Sequence, residues 1–255
     1  MLTLADSHVH LDRYSADEGS AMLQRARQVG VAYFLTVGVD HASSQQAVLL
    51  ARQHAGLSAA VGWHPMYLGS GFSLNDQTRL RKLAQQYPEV AAIGETGIDL
   101  AEAQASLETQ QQAFRFQVQL AQQSGLPLIL HHQKAESYCQ DILRATGAGK
   151  EVIVHYFVSD LASACRWLEL GCSLSVGRPV TRLENIALRQ AVAAIPLERL
   201  LLETDTYPLP GRTTEPADVH QVAEAVAALK HIPLETVAEQ TTANFCRLLR
   251  IEKSS

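Results

Sequence analysis

The sequence predicts an α/β protein of the single (β/α)8 TIM-type barrel class, and three observations predict it. Eight short apolar runs, rich in β-branched residues, alternate with longer amphipathic ones almost from end to end. Glycines and prolines fall between the runs, where helices have to stop. At 255 residues, 47% hydrophobic and 18% charged, the chain can bury one substantial core, and α/β barrels commonly fill this length as one domain. Residues 1–255 are therefore read as one domain, with a doubly wound open sheet as the rival arrangement.

The candidate strands are Leu2–Asp6, Ala32–Val37, Leu57–Gly62, Val90–Gly94, Leu128–Leu130, Val152–Val154, Cys172–Ser175 and Leu200–Glu203. Helical patterns stand between them at Ala16–Val29, Ala42–His54, Leu74–Gln86, Leu107–Gln123, Glu136–Arg144, Leu161–Leu170 and Leu183–Ala194. In Leu107–Gln123 the positions Leu107, Phe114, Val118 and Ala121 fall on one helical stripe, and glutamines fill the other side. Gly30, Gly56, Gly125 and Gly171 follow helical runs, where a left-handed residue is expected. Pro127 and Pro196 stand in helix-to-strand connections, where no helix could continue. Two further helical runs, Pro216–Leu229 and Leu234–Leu249, would cover the last strand and the outside of the barrel. There is no Gly-rich phosphate loop, low-complexity linker or short-period repeat.

A formal charge of −5 gives no basic field, so net charge supports neither non-specific nucleic-acid binding nor membrane attraction. Cys139, Cys165, Cys172 and Cys246 show no Cys-x-x-Cys pairing and read as reduced small apolar residues. The N-terminus lacks the charged and apolar regions of a signal peptide, and no run of about 18 apolar residues suggests a membrane span. A soluble, cytoplasmic monomer without an obligate protein partner is the expectation.

The chemistry starts at Asp6-Ser7-His8-Val9-His10. Side chains alternate along a strand, so Asp6, His8 and His10 would share one face, and two imidazoles so placed can grip one cation. Later strand candidates end in the same kind of residue: Glu95 after Gly94, His131 after Leu130, His155 after Val154, and Glu203-Thr204-Asp205 after Leu202. In a barrel these positions crowd the C-terminal mouth, where barrel enzymes place their chemistry. One histidine at one strand end is usually a hydrogen-bonded core residue; five strand ends so marked point to a metal site. His8, His10, Glu95, His131, His155 and Asp205 suit zinc, manganese or another transition ion better than calcium. Six ligands exceed the needs of one zinc and would serve two ions about 3.5–4 Å apart, bridged by a carboxylate and a water.

The chain resembles the TatD family of metal-dependent hydrolases, the TatD-type deoxyribonucleases of the amidohydrolase-like barrels. The matching stretches are Asp6 to Leu11, Gly62-Trp63-His64-Pro65, Ile93 to Asp99, His131, Val154-His155-Tyr156-Phe157 and Leu202-Glu203-Thr204-Asp205, in family order. The resemblance implies that His8 and His10 bind one divalent ion and His131 and His155 the other, with Glu95 bridging. Asp205 would bind the first ion and handle the proton of the attacking water, whose pKa two cations would lower. The ions would be Mg, Mn or Zn. His64 corresponds to a position facing the substrate phosphate. Asp6 and Glu203, each two residues before a proposed ligand, could orient imidazoles from behind.

Several positions depart from the family pattern. Gln133 stands where an Arg is usual, two residues after His131, and a neutral amide cannot clamp a phosphate as a guanidinium does. Phe157-Val158-Ser159-Asp160 replaces Phe-Ser-Gly-Ser, Leu100-Ala101-Glu102 lacks the usual aromatic, and the loop from Thr206 to Pro216 is short and lacks the Asn before Glu-Pro. The expected activity is that of a phosphodiesterase acting on DNA ends as an exonuclease. The alternative keeps the dinuclear site but cleaves a small-molecule amide, lactone or ester. Trp63, Tyr67, Phe72 and Tyr156 are the aromatic candidates for stacking a frayed base. A non-catalytic barrel with a structural metal has no use for a water-activating carboxylate at position 205.

Overall fold

The computed structural model describes residues 2–69, 71–208, 211 and 214–252. Its strands are β1 (Leu4–Val9), β2 (Val31–Val37), β3 (Leu57–Val61), β4 (Val90–Asp99), β5 (Leu128–Gln133), β6 (Val152–Val154), β7 (Ser173–Val176) and β8 (Leu200–Leu202). The helices are α1 (Ala16–Gln28), α2 (His41–Gln53), α3 (Leu74–Gln86), α4 (Leu107–Ser124), α5 (Glu136–Thr146), α6 (Leu161–Glu169), α7 (Ile186–Ala194), α8 (Val219–Lys230) and α9 (Leu234–Leu249). All eight strands belong to one sheet in the order β1 to β8, which is the (β/α)8 order expected from the alternation. Gly30, Gly56, Gly125 and Gly171 take positive φ of 92°, 77°, 64° and 86° at the helix exits where the sequence places them.

Two compact units make up the chain, one of residues 1–35, 155–169 and 173–255, the other of residues 36–154 and 170–172. In the first, β7 and β8 pair in parallel with Leu174 opposite Leu200 and Val176 opposite Leu202. Just beyond β8, Val9 bridges Thr206; the Asp205 amide donates to the His8 carbonyl at 3.0 Å, and the His10 amide to the Thr206 carbonyl at 2.8 Å. Helix α9 fastens the start of β8, since the Asn244 amide group donates to the carbonyls of Leu197 and Leu200, both at 2.8 Å. Trp167, Phe245 and Leu4 are fully buried in this unit.

In the second unit β3, β4, β5 and β6 pair in parallel. Helix α4 does more than cover them. Its apolar stripe is interrupted by Gln110 and Gln117, and both are buried rather than turned to water. Gln110 Oε1 accepts from the Asp99 amide at 2.8 Å while its Nε2 donates to the Asp99 carbonyl at 3.1 Å, clamping the end of β4. Gln117 Oε1 accepts from the Trp63 amide at 2.8 Å, and its Nε2 donates to the Trp63 carbonyl at 2.9 Å and to Thr96 Oγ1 at 2.6 Å. A primary amide offers one donor and one acceptor edge to the N–H and C=O of a single residue, so each glutamine satisfies both backbone groups of the residue it faces.

Some boundaries differ from those expected. β1 runs past its expected end at Asp6 to Val9, and β4 and β5 run past Gly94 and Leu130 to Asp99 and Gln133, where Gly97 to Asp99 pair with His131 to Gln133 although the apolar runs have ended. Pro216–Asp218 form a 3-10 turn, which delays α8 to Val219, and α7 starts at Ile186 with Leu183 left 76% exposed.

Gln117→Leu keeps the size of this side chain while leaving the Trp63 amide, the Trp63 carbonyl and the Thr96 hydroxyl without it. We expect a loss of about 1–3 kcal/mol for each group left unsatisfied, read as a lowered denaturant midpoint with an unchanged slope. A midpoint equal to wild type would rule out the clamp.

Candidate metal centre

In the first unit β1 delivers His8, buried, and the residue after it delivers His10. Their Nε2 atoms stand 3.1 Å apart. Two nitrogens about 2.1 Å from one zinc-sized cation lie about 3.0–3.4 Å apart, so this pair has the spacing of a shared ligand set. The His155 ring, straight after β6, stacks on His8 with centroids 3.7 Å apart. Asp205 follows β8 at a φ of 50°, and its Oδ1 lies 3.6 Å from His10 Nε2. A side chain in the left-handed region costs of order 1 kcal/mol, least for Asp and Asn, and the bond from the Asp205 amide to His8 holds it there. Ligand atoms of His8, His155 and Asp205 all fall within 4.8 Å of one another.

Two carboxylates stand behind these residues, with proton affinities shifted in opposite directions. Glu203 Oε1 lies 3.1 Å from His155 Nδ1 and accepts from the Tyr156 amide at 2.7 Å. Burial pushes Glu203 up, but the His155 and His8 imidazoles and the Ser175 hydroxyl outweigh it and hold the carboxyl below its usual range. Asp6 does not reach a ring. Its Oδ1 accepts from the amides of His8 and Thr204 at 3.2 and 3.0 Å, and its Oδ2 from the Thr204 hydroxyl at 2.6 Å. Asp6 therefore ties β1 to the segment carrying Asp205; burial, opposed by these donors and reinforced by Glu203, leaves it well above the ordinary carboxylate range.

The second unit builds its own cluster. β4 carries Glu95, β5 carries His131, and the corner after β3 carries His64; ligand atoms of the three lie within 4.8 Å of one another. His131 Nδ1 is 3.0 Å and His64 Nε2 3.4 Å from the same Glu95 oxygen, and the two rings stand 4.2 Å apart. His64 Nδ1 accepts the Met66 amide at 3.1 Å, so the neutral ring carries its proton on Nε2. Close packing requires the glycines here: a Cβ on Gly97 would stand 1.8 Å from the His131 carbonyl oxygen, with φ already at 149°.

The sequence reading missed Asp99. Its Oδ2 lies 3.1 Å from His131 Nε2 and its Oδ1 accepts from the amides of Ala101 and Glu102, both at 2.8 Å. Burial acts to raise it, and the His131 hydrogen bond with these two amides pulls it far below the usual range. A signal was present, since Glu95 and Asp99 stand four residues apart, a spacing that puts two side chains on one face of a regular strand. Of the loop between Asp205 and Pro216, Leu209, Pro210, Arg212 and Thr213 lie outside the described residues. Its far end is tied down: Arg178 Nη1 donates to Thr214 Oγ1 at 2.8 Å, and Arg25 makes a two-pronged pair with Glu215 at 2.7 and 2.8 Å.

The donor set fits divalent cations in chemistry and spacing. Imidazoles with carboxylates, each cluster backed by a further carboxylate on a ring nitrogen, are what zinc and manganese sites use. A (β/α)8 chain so equipped is a metal-dependent hydrolase. The family model described as TatD related DNase matches residues 5–250, and the chain belongs to that family. It is 34% identical to TatD of Mycobacterium tuberculosis, described as an uncharacterized metal-dependent hydrolase, over 94% of this chain and 96% of that one. A protein of Erwinia amylovora described as 3′-5′ ssDNA/RNA exonuclease TatD is 33% identical over 90% of this chain and 92% of its own. The crystal structure of YjjV, a TatD homolog of Escherichia coli K12, superposes with a TM-score of 0.90 at 28% identity, covering 98% of each chain. Among the described residues no helix is long and apolar enough to cross a membrane.

Asp99→Ala should weaken metal binding by about 10–100-fold, the usual cost of removing a carboxylate behind a ligating imidazole. Competition between metal-stripped protein and a chromogenic chelator measures this, and wild-type affinity in the variant would remove Asp99 from the centre.

Proposed function

We propose that the protein is a metal-dependent phosphodiesterase that releases nucleotides from DNA ends. In this reading His8, His10, Glu95, His131, His155 and Asp205 would hold two divalent ions, Mg, Mn or Zn, with Glu95 serving both. The domain would span residues 1–255 and work as a cytoplasmic monomer. The observation that carries it is Asp205, a carboxylate fixed on left-handed backbone with its Oδ1 3.6 Å from His10 Nε2, inside a set of ligand-capable atoms. The choice of DNA rests on the family and on the exonuclease relative.

When bound, the ions supply Lewis acidity to a water and to the phosphate. The chain supplies the rest. Asp205 takes the proton of the attacking water and passes it to the leaving oxygen. His64, its Nδ1 accepting from the Met66 amide, carries its proton on Nε2 beside Glu95, 3.4 Å away, and a donor there suits contact with a phosphate oxygen better than metal ligation. Glu203 and Asp99 fix the rings of His155 and His131, so the ligands need not reorganise when substrate arrives.

A second reading keeps these groups but takes a small-molecule amide, lactone or ester. Gln133 favours it, because it stands at the end of β5 where the family's usual Arg would grip phosphate.

Metal-stripped protein given Mg²⁺, Mn²⁺ or Zn²⁺ separately should release nucleotides from end-labelled single-stranded DNA, and Asp205→Asn should lower the rate by at least about 100-fold while melting like wild type. Absence of release with metals bound turns the assignment to the small-molecule reading. Glu95→Gln should lower metal content at both positions; elemental analysis showing full two-metal occupancy would contradict a bridging role.

A further inference from the structure

The corner that carries His64 continues into a 3-10 turn, Pro65–Tyr67, and its two large side chains stay in water: Met66 is 50% and Tyr67 44% exposed. The turn is held firmly. The Tyr67 amide donates to the His64 carbonyl at 2.9 Å, and Trp63 Nε1 donates to the Tyr67 carbonyl at 3.1 Å. Behind it runs an aromatic buttress, Trp63 against Phe72 and Phe72 against Phe116, each pair 5.5 Å apart, with the Arg81 guanidinium 5.5 Å from the Phe116 centroid. Gln117 fixes both backbone groups of Trp63, so the corner is anchored to α4 as well. The Tyr67 ring stands nearly perpendicular to His64, 6.2 Å away at 78°. That imidazole points its Nε2 at Glu95, 3.4 Å away.

An exposed aromatic ring with low conformational freedom, one residue beyond Met66 and edge-on to the phosphate-facing histidine, has the properties of a stacking surface. We infer that Tyr67, with the polarisable Met66 beside it, is the shelf on which the terminal base of single-stranded DNA stacks while His64 meets its phosphate. The inference rests on the phosphodiesterase reading and specifies how that site recognises its substrate. A π face takes any base, so the shelf selects an unstacked end rather than a sequence, and it needs no basic surface. It also supplies orientation that Gln133 does not, since the base is held apart from the phosphate contacts. Protein docking is the lesser use of this surface, because two side chains fall far short of a stable interface.

The test uses the metal-loaded full chain and end-labelled single strands bearing either an ordinary base or an abasic sugar at the cleaved terminus. Tyr67→Leu should lower kcat/KM on the base-bearing strand by about 5- to 100-fold, the range one base–aromatic stack is worth, mostly through KM. The same change should alter cleavage of the abasic strand less than about twofold, and Tyr67→Phe should recover most of the loss. Equal losses on both strands, or wild-type efficiency of Tyr67→Leu on the base-bearing strand, would overturn the shelf while leaving the nuclease intact. If wild type cleaves neither strand with metal bound, the phosphodiesterase reading falls and takes the shelf with it.

Discussion

Buried ionisable groups must be matched by partners, and the architecture around the centre follows from that requirement. Asp6, Glu203 and Asp99 are almost fully buried, where an unmatched carboxylate would cost several kcal/mol. Each is answered differently. Asp6 is ringed by two amides and a hydroxyl, Glu203 by an amide, an imidazole and the Ser175 hydroxyl, and Asp99 by two amides and an imidazole. Burial raises both carboxyls in proton affinity, but the imidazoles of His155 and His8 bring Glu203 below its usual range, while the donors around Asp6 do not offset its burial. The histidine rings are thereby aimed by groups that gain from being aimed at.

The same requirement bears on β4, which carries both Glu95 and Asp99 and departs from a regular ladder. β4 shifts register between Ile93 and Thr96, at Glu95. Gln110 and Gln117 supply the hydrogen bonds its neighbourhood needs, and Gly97 removes the side chain that would collide with β5.

Much of this was legible in the sequence. The alternation of runs gave the order of the eight strands, and Val152–Val154, Leu74–Gln86 and Leu234–Leu249 were read to the residue. The ligand candidates stood out because charged and imidazole side chains at the ends of apolar runs have few other reasons to recur. Other features were hidden by the same logic. A glutamine in an amphipathic helix reads as solvent-facing, since nothing local says that a peptide group waits opposite Gln117. Left-handed backbone is announced by Gly125 but not by Tyr156 or Asp205, whose φ of 48° and 50° follow from contacts distant in sequence. Asp99 was within reach of the alternation rule and was obscured because the apolar run before it had already ended.

The described ends of the segment after Asp205 are each held by bonds of their own. Thr206 is joined to His10 on one side; on the other, Thr214 and Glu215 are gripped by Arg178 and Arg25. The backbone that positions the Asp205 carboxylate is therefore set from β1, through His8 and His10, while Arg178 and Arg25 secure residues nine and ten positions further along the chain.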